Sequence, residues 1–241
     1  MKIIVPAKSG SERVINKNWR PFYSDESLVD ITIKKLKRAG VRKSSIFVTG
    51  DDTRLLASVR AEHKVETIFR SPVYCDNDMP IVNVVSHFYD KLGKPAEFAI
   101  AMVTCPTFNK YRDCLDAWAL NRPSYDSLAV TFEADKFLMM KADNSFAPIG
   151  WSFGNCHQIS QSLRSFYRFP FAFSILTKKS ISETSFFVGR NPYWFIESES
   201  HIDIDTERDF YDAAAVYADR MKRLESKRSS KSRMTKPDKI R

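Results

Sequence analysis

Five short apolar runs, separated by stretches with helical spacing, constrain this chain more than any other feature. Ile3-Ile4-Val5, Ile46-Phe47-Val48, residues 65–69, residues 98–103 and residues 128–132 are rich in β-branched and aromatic side chains and too short for buried helices. Between them, Leu28, Ile31, Ile33, Leu36 and Ala39 recur at helical period before Gly40, with Asp25 or Ser27 placed to cap. Residues 53–63, 79–92 and 112–120 read the same way. Such alternation predicts an α/β fold on a mostly parallel sheet. The near-continuous apolarity of residues 98–103 suits a central strand covered on both faces. Two more strands are expected at 171–176 and 193–196, then a long helix from Thr206.

Open α/β sheets bind ligands beyond the carboxyl ends of their strands. After the first strand the chain places Pro6-Ala7-Lys8-Ser9-Gly10-Ser11-Glu12-Arg13, then Asn16-Lys17-Asn18. Gly10 and its flanking serines let backbone N–H groups approach an anion, and Lys8, Arg13 and Lys17 supply charge. The plain alternative is a solvated loop. Neither G-x-x-x-x-G-K-[ST] nor an early G-x-G-x-x-G is present, so a phosphate site here is of another kind. Asp51-Asp52 follows the second strand. In Asp203-Ile204-Asp205, residues two apart on an extended segment face the same way, so both carboxylates can reach one Mg²⁺ or another divalent cation. The competing reading is that Asp205 or Thr206 only caps the last helix. His87 and His157 read as packed or surface residues.

Composition adds limits. A chain of 241 residues can hold one core with an insertion. No run of 18 apolar residues occurs and the N-terminus lacks a signal-peptide pattern, so a cytoplasmic protein without a membrane span is expected. Cys75, Cys105, Cys114 and Cys156 have no metal-finger spacing and read as reduced thiols. The formal charge is +9, but residues 220–241 hold ten basic and two acidic side chains, which leaves the remainder nearly neutral. That segment reads as a disordered, solvated basic tail, the alternative being an RNA- or membrane-surface-binding arm. Residues 136–167 lose periodicity yet carry Phe137, Leu138, Met139, Met140, Phe146, Trp151, Phe153 and Phe166, an apolar load that fits a dimer interface.

Taken in order, Pro6-Ala7-Lys8-x-Gly10-Ser11-x-Arg13 with Lys17-Asn18, Arg70, Thr104-x-Pro106 and Ile202-Asp203-Ile204-Asp205-Thr206 with Asp209-Phe210 resemble the acylneuraminate cytidylyltransferases. The resemblance runs from about residue 2 to about residue 218. It implies a nucleotide-diphosphosugar-transferase-like (Rossmann-like) fold in a single domain, 1–219, with a dimerisation insertion at about 135–168. The implied reaction is CTP plus a nonulosonic-type sugar acid giving CMP-sugar and pyrophosphate. Ala7, Lys8, Gly10, Ser11, Arg13, Lys17, Asn18 and Arg70 would then hold the nucleotide, and Asp203 and Asp205 the metal. Met102, Thr104, Arg168 and Phe171 match the sugar side, with Arg168 reaching the neighbouring subunit. Lys8, Lys17 and Asp205 would carry catalysis. Four positions depart from the family pattern. Glu12 stands for a lysine, Lys8 for an arginine, Met102 for a glutamine, and Arg168-Phe169-Pro170-Phe171 for Arg-Pro-Asn-Gly. The sugar-side changes run from polar to apolar, which implies an acceptor other than N-acetylneuraminate. Rival readings are a non-catalytic relative that binds through its basic tail, and a transferase using another nucleotide.

Overall fold

The structure is a computed structural model, and it describes residues 1–134, 137–143, 145–151 and 165–234, without the side chains of Ala142 and of residues 227–234. In chain order the elements are β1 (Lys2–Pro6), β2 (Pro21–Tyr23), β3 (Glu26–Ser27), α1 (Leu28–Arg38), β4 (Ile46–Gly50), α2 (Thr53–His63), β5 (Glu66–Phe69) and α3 (Ile81–Lys91). There follow β6 (Glu97–Ala101), α4 (Tyr111–Asn121), β7 (Ser127–Glu133), β8 (Leu138–Ala142), β9 (Ser145–Ile149), β10 (Tyr167–Arg168), β11 (Phe173–Thr177), α5 (Lys178–Glu183), β12 (Pro192–Glu197) and α6 (Glu207–Met234).

Among the described residues, eight strands form the main sheet. β5, β4, β1 and β6 lie side by side and parallel. β11 then enters antiparallel between β6 and β7, and β12 runs parallel along the other edge of β7. The sheet is therefore α/β and mostly parallel as expected, with antiparallel β10 and β11 as the exceptions. Side chains alternate across it with period two. Ile3 and Val5 of β1 join a core shared with α1, α2, α4 and α6, while Ile4 joins a second core with α3 and α5 on the opposite face.

Local chemistry explains the helix ends. Ser27, not Asp25, caps α1, in a reciprocal box with Asp30, and Gly40 follows it at φ +86°. Asp52 caps α2 by accepting from the N–H groups of Arg54 (2.8 Å) and Leu55 (3.2 Å). Thr206 caps α6, its hydroxyl accepting from Asp209 N–H at 3.2 Å while the Asp209 carboxylate accepts from Thr206 N–H at 2.8 Å.

Where a disordered tail is expected from residue 220, α6 continues to Met234, and residues 235–241 lie outside the described residues. Arg223 pairs with Asp219 one turn back at 2.9 Å, and Met221 packs on the core, so the first part of the basic segment has local partners that its composition conceals. The described part of the insertion includes the hairpin β8–β9, separate from the main sheet, with Phe137, Met140 and Phe146 more than half exposed. Phe153, Cys156 and His157 lie outside the described residues. The three described cysteines are free thiols. Among the described residues, no helix is long and apolar enough to cross a membrane.

Candidate active site

A cleft of about 750 Å³ opens at the carboxyl ends of β1 and β6, under the loop that follows β1. That loop is braced from below. Asp51, just past β4, accepts from Ser9 N–H (2.7 Å) and Ser9 Oγ (3.0 Å), and Ala7 N–H donates to the Thr49 carbonyl at 2.8 Å. Its far end is held by Asn18 Nδ2 and Trp19 Nε1, which both donate to the Lys8 carbonyl, at 2.9 and 3.2 Å. Arg20 then forks onto Glu207 of α6 at 3.0 and 2.7 Å while lying 3.8 Å from the Phe210 ring centroid. The cradle is thus fixed to both β4 and α6.

Lys8, Ser11, Glu12, Arg13, Lys17, Asn18, Arg70, Met102, Thr104, Phe171, Asp203 and Asp205 all line this one cleft, although more than 190 residues separate the first from the last. Three expected residues do not. Ala7 is buried in the core with its N–H already bonded. Gly10 is not in the wall, has no positive φ and has open space where a Cβ would stand, so neither backbone conformation nor crowding demands glycine there. Arg168 sits on β10, where its carbonyl accepts from Thr131 Oγ1 at 2.7 Å, and it is not part of the cleft wall.

The Asp203-Ile204-Asp205 segment is shaped by its middle residue. Ile204 is fully buried, its N–H bonds the Thr104 carbonyl at 2.9 Å, and its own carbonyl accepts from Lys17 Nζ at 2.6 Å. With Ile204 turned into the core, both aspartates reach the cleft. Burial pushes the Asp203 carboxyl up from its ordinary range, against a hydrogen bond from Thr104 that lowers it. Burial likewise pulls the Lys17 ammonium down, opposed by the charges of Asp205 and Asp203. Arg13, rather than pairing with Glu12, sits 2.8 Å from Asp205, and both side chains are more than half exposed, so the pair is solvent-screened and can be exchanged for a ligand. Two carboxylates on one wall, one of them buried beyond what its neighbours compensate, fit a hard divalent cation whose remaining ligands come from substrate oxygens and water.

Deeper in the cleft, Asn18 and Arg70 are buried, and Asn18 Oδ1 and Arg70 Nε have no partner among the described residues. Buried polar atoms of this kind fit a polar ligand. Sequence reasoning missed Asn77, which accepts from Lys8 Nζ, as well as Ile81, Phe186 and Phe187. No motif announces them. They reach the cleft only through the fold.

The cytidylyltransferase family model matches residues 2–92, the part that carries the cradle and Arg70. An N-acylneuraminate cytidylyltransferase from Streptococcus agalactiae is 24% identical over 214 residues, covering 86% of this chain. The chain is similar to the cytidylyltransferases. It spans 51% of that relative's length. Among solved structures, a CMP:2-keto-3-deoxy-manno-octonic acid synthetase complexed with CTP covers 91% of this chain and 98% of its own, with TM-score 0.67 at 12% identity. A 4-diphosphocytidyl-2C-methyl-D-erythritol synthase from Anaerococcus prevotii covers 90% and 97%, with TM-score 0.60 at 10% identity. At those identities the likeness is one of fold. The nucleotidyltransferase fold expected from the motifs is the one adopted.

Proposed function

We propose that this cleft transfers the cytidylyl group of CTP to a sugar acid of nonulosonic type, releasing pyrophosphate. The observation that carries the proposal is the convergence of Lys8, Lys17 and Arg70 with Asp203 and Asp205 on one cleft. Phosphoryl-group transfer depends chiefly on positioning and on neutralising charge at the nonbridging oxygens. Lys17 is held rigidly for this by the Ile204 carbonyl, with its own charge poorly solvated, and binding a phosphate oxygen would relieve that. Lys8, clasped by Asn77 and the Cys75 carbonyl, would hold the distal phosphates with Ser11. Asn18 and Arg70 would receive the cytidine. Asp203 and Asp205 would hold Mg²⁺, which supplies charge neutralisation on the leaving pyrophosphate. Attack by the acceptor hydroxyl on the α-phosphorus breaks the α–β phosphoanhydride bond, and its proton leaves to water or to Asp205.

The acceptor side is an apolar wall. Phe171 packs 5.0 Å from Phe187 and 6.0 Å from Phe186, ring centroid to centroid, with Met102 beside them in the cleft. Phe171 holds φ +55°, an uncommon backbone for a bulky residue, at the excursion between β10 and β11. Such a wall favours an acceptor with an apolar substituent over a fully hydroxylated one, in line with an acid other than N-acetylneuraminate. The exposed β8–β9 hairpin would pair with a second copy to make a homodimer and bring Arg168 to the partner's cleft. The reaction belongs in the cytoplasm, where CTP is available.

Incubation with CTP, Mg²⁺ and a panel of ulosonic and nonulosonic acids, read by pyrophosphate release, tests the proposal. UTP, ATP and GTP in the same assay test the nucleotide. Silence across the panel together with no CTP binding by calorimetry would refute it.

A further inference from the structure

A second cavity, of about 360 Å³, lies where the last turn of α1, the loop 107–110, the first turn of α4 and the middle of α6 meet. Lys35, Arg38, Lys110, Arg112 and Arg220 line it, against the carboxylate of Asp113. Two of these cations are engaged by the protein. Lys35 donates to the carbonyls of Pro106 and Phe108, and Arg220 donates to the Thr107 carbonyl and pairs with Glu199. Arg112 pairs with Asp116 one turn on at 3.8 Å, and Arg38 and Lys110 have no hydrogen-bond or ion-pair partner among the described residues.

Two other cations of α6 are paired within the helix. Arg208 pairs with Asp212 and Arg223 with Asp219, each one turn away. Arg38 and Lys110, without such partners among the described residues, thus meet at one cavity beside Arg112, Lys35 and Arg220. Its crowding is visible at Lys35, which burial, and then the charge of Arg220, hold down at about 7. α4 begins at this cavity with no side-chain cap, so its first N–H groups add to the positive field. The α6 side offers Tyr217, Met221 and Leu224. The volume is at the small end for metabolite sites, enough for one or two anionic groups on a small body.

We propose that this cavity is a second binding site, separate from the catalytic cleft, for a small phosphate-bearing anion with an apolar portion. The test uses inorganic phosphate as probe, at constant ionic strength, with unfolding temperature as readout. Three proteins are compared: wild type, the double variant Arg38→Gln/Lys110→Gln, and Lys17→Met in the cleft. The expected result is saturable stabilisation of the wild type and of Lys17→Met alike, with at least tenfold weaker binding to the double variant. Both substituted side chains of the double variant lie at the cavity rim, so it should fold and bind CTP as the wild type does. Stabilisation that vanishes in Lys17→Met but persists in the double variant would assign the phosphate to the cleft and overturn the proposal. So would an equal response in all three proteins. The absence of saturable phosphate binding, with short single-stranded RNA bound by the wild type and lost in the double variant, would replace it with a nucleic-acid surface.

Discussion

Replacing Gly50 by alanine tests how tightly the cradle is fixed to the sheet. A Cβ at Gly50 would stand 2.5 Å from the Ala7 carbonyl oxygen, whereas ordinary contact begins at 3.4 Å. The obstacle is backbone and cannot swing aside, so β1 and β4 must part at their carboxyl ends. That movement strains the Ala7 N–H to Thr49 hydrogen bond, now 2.8 Å, at the point where the loop begins. Overpacking of this kind costs about 1–3 kcal/mol, and a lost backbone hydrogen bond adds about 1. The expected destabilisation is therefore about 2–4 kcal/mol, a fall of roughly 5–15 °C in Tm for a chain of this size. Urea unfolding followed by tryptophan fluorescence measures it, and CTP calorimetry should show weakened binding in the same variant. Gly10→Ala is the control. With open space at its Cβ and no positive φ, it should change stability by less than about 0.5 kcal/mol. If Gly50→Ala proved as stable as Gly10→Ala, the reasoning that ties the cradle to β4 through backbone contact would be wrong.

Lys17→Met should lower kcat by roughly 10²–10³-fold with little loss of stability, as expected for a group that stabilises transition-state charge. An unchanged kcat in steady-state assays would remove Lys17 from the mechanism. Asp203→Asn should abolish Mg²⁺-dependent turnover while CTP still binds without metal, and turnover surviving at saturating Mg²⁺ would refute its role as a ligand. Asp30 gives a pH test. Burial pushes its carboxyl up, but hydrogen bonds from His63 and Ser27 overcome this and hold it at about 2. A carboxylate depressed in the folded state stabilises above its unfolded pKa, so its contribution of about 2 kcal/mol is present above pH 4 and lost as pH falls toward 2. Asp30→Asn should flatten that part of the stability profile measured by denaturant titration, and parallel acid limbs in the two proteins would contradict the assignment.

Much of this protein follows from short-range rules. Ile3-Ile4-Val5 alternates between two cores because a strand has period two, Ser27 and Asp30 close a cap three residues apart, and Asp203 and Asp205 share a direction because one residue lies between them. Lys8, Lys17, Arg70 and the two aspartates are legible in the sequence, since they fall in the ordered set of short motifs that resembles the acylneuraminate cytidylyltransferases. What lay beyond the sequence is whatever depends on partners far along the chain. Nothing near Ser9 says that Asp51 will hold it, or that Asn77 will clasp Lys8. Phe186 and Phe187 reach the cleft because β11 inserts antiparallel between β6 and β7, a pairing that local periodicity cannot express. The basic C-terminal segment reads as disordered from its charge, its serines and its few apolar residues, yet α6 runs through its first part, where Arg220 finds Glu199 and the Thr107 carbonyl. Sequence determined which side chains can do chemistry and which way neighbours point. Tertiary structure decided which of them meet, because pairing register and long-range hydrogen bonds are set by the whole fold and not by any window of it.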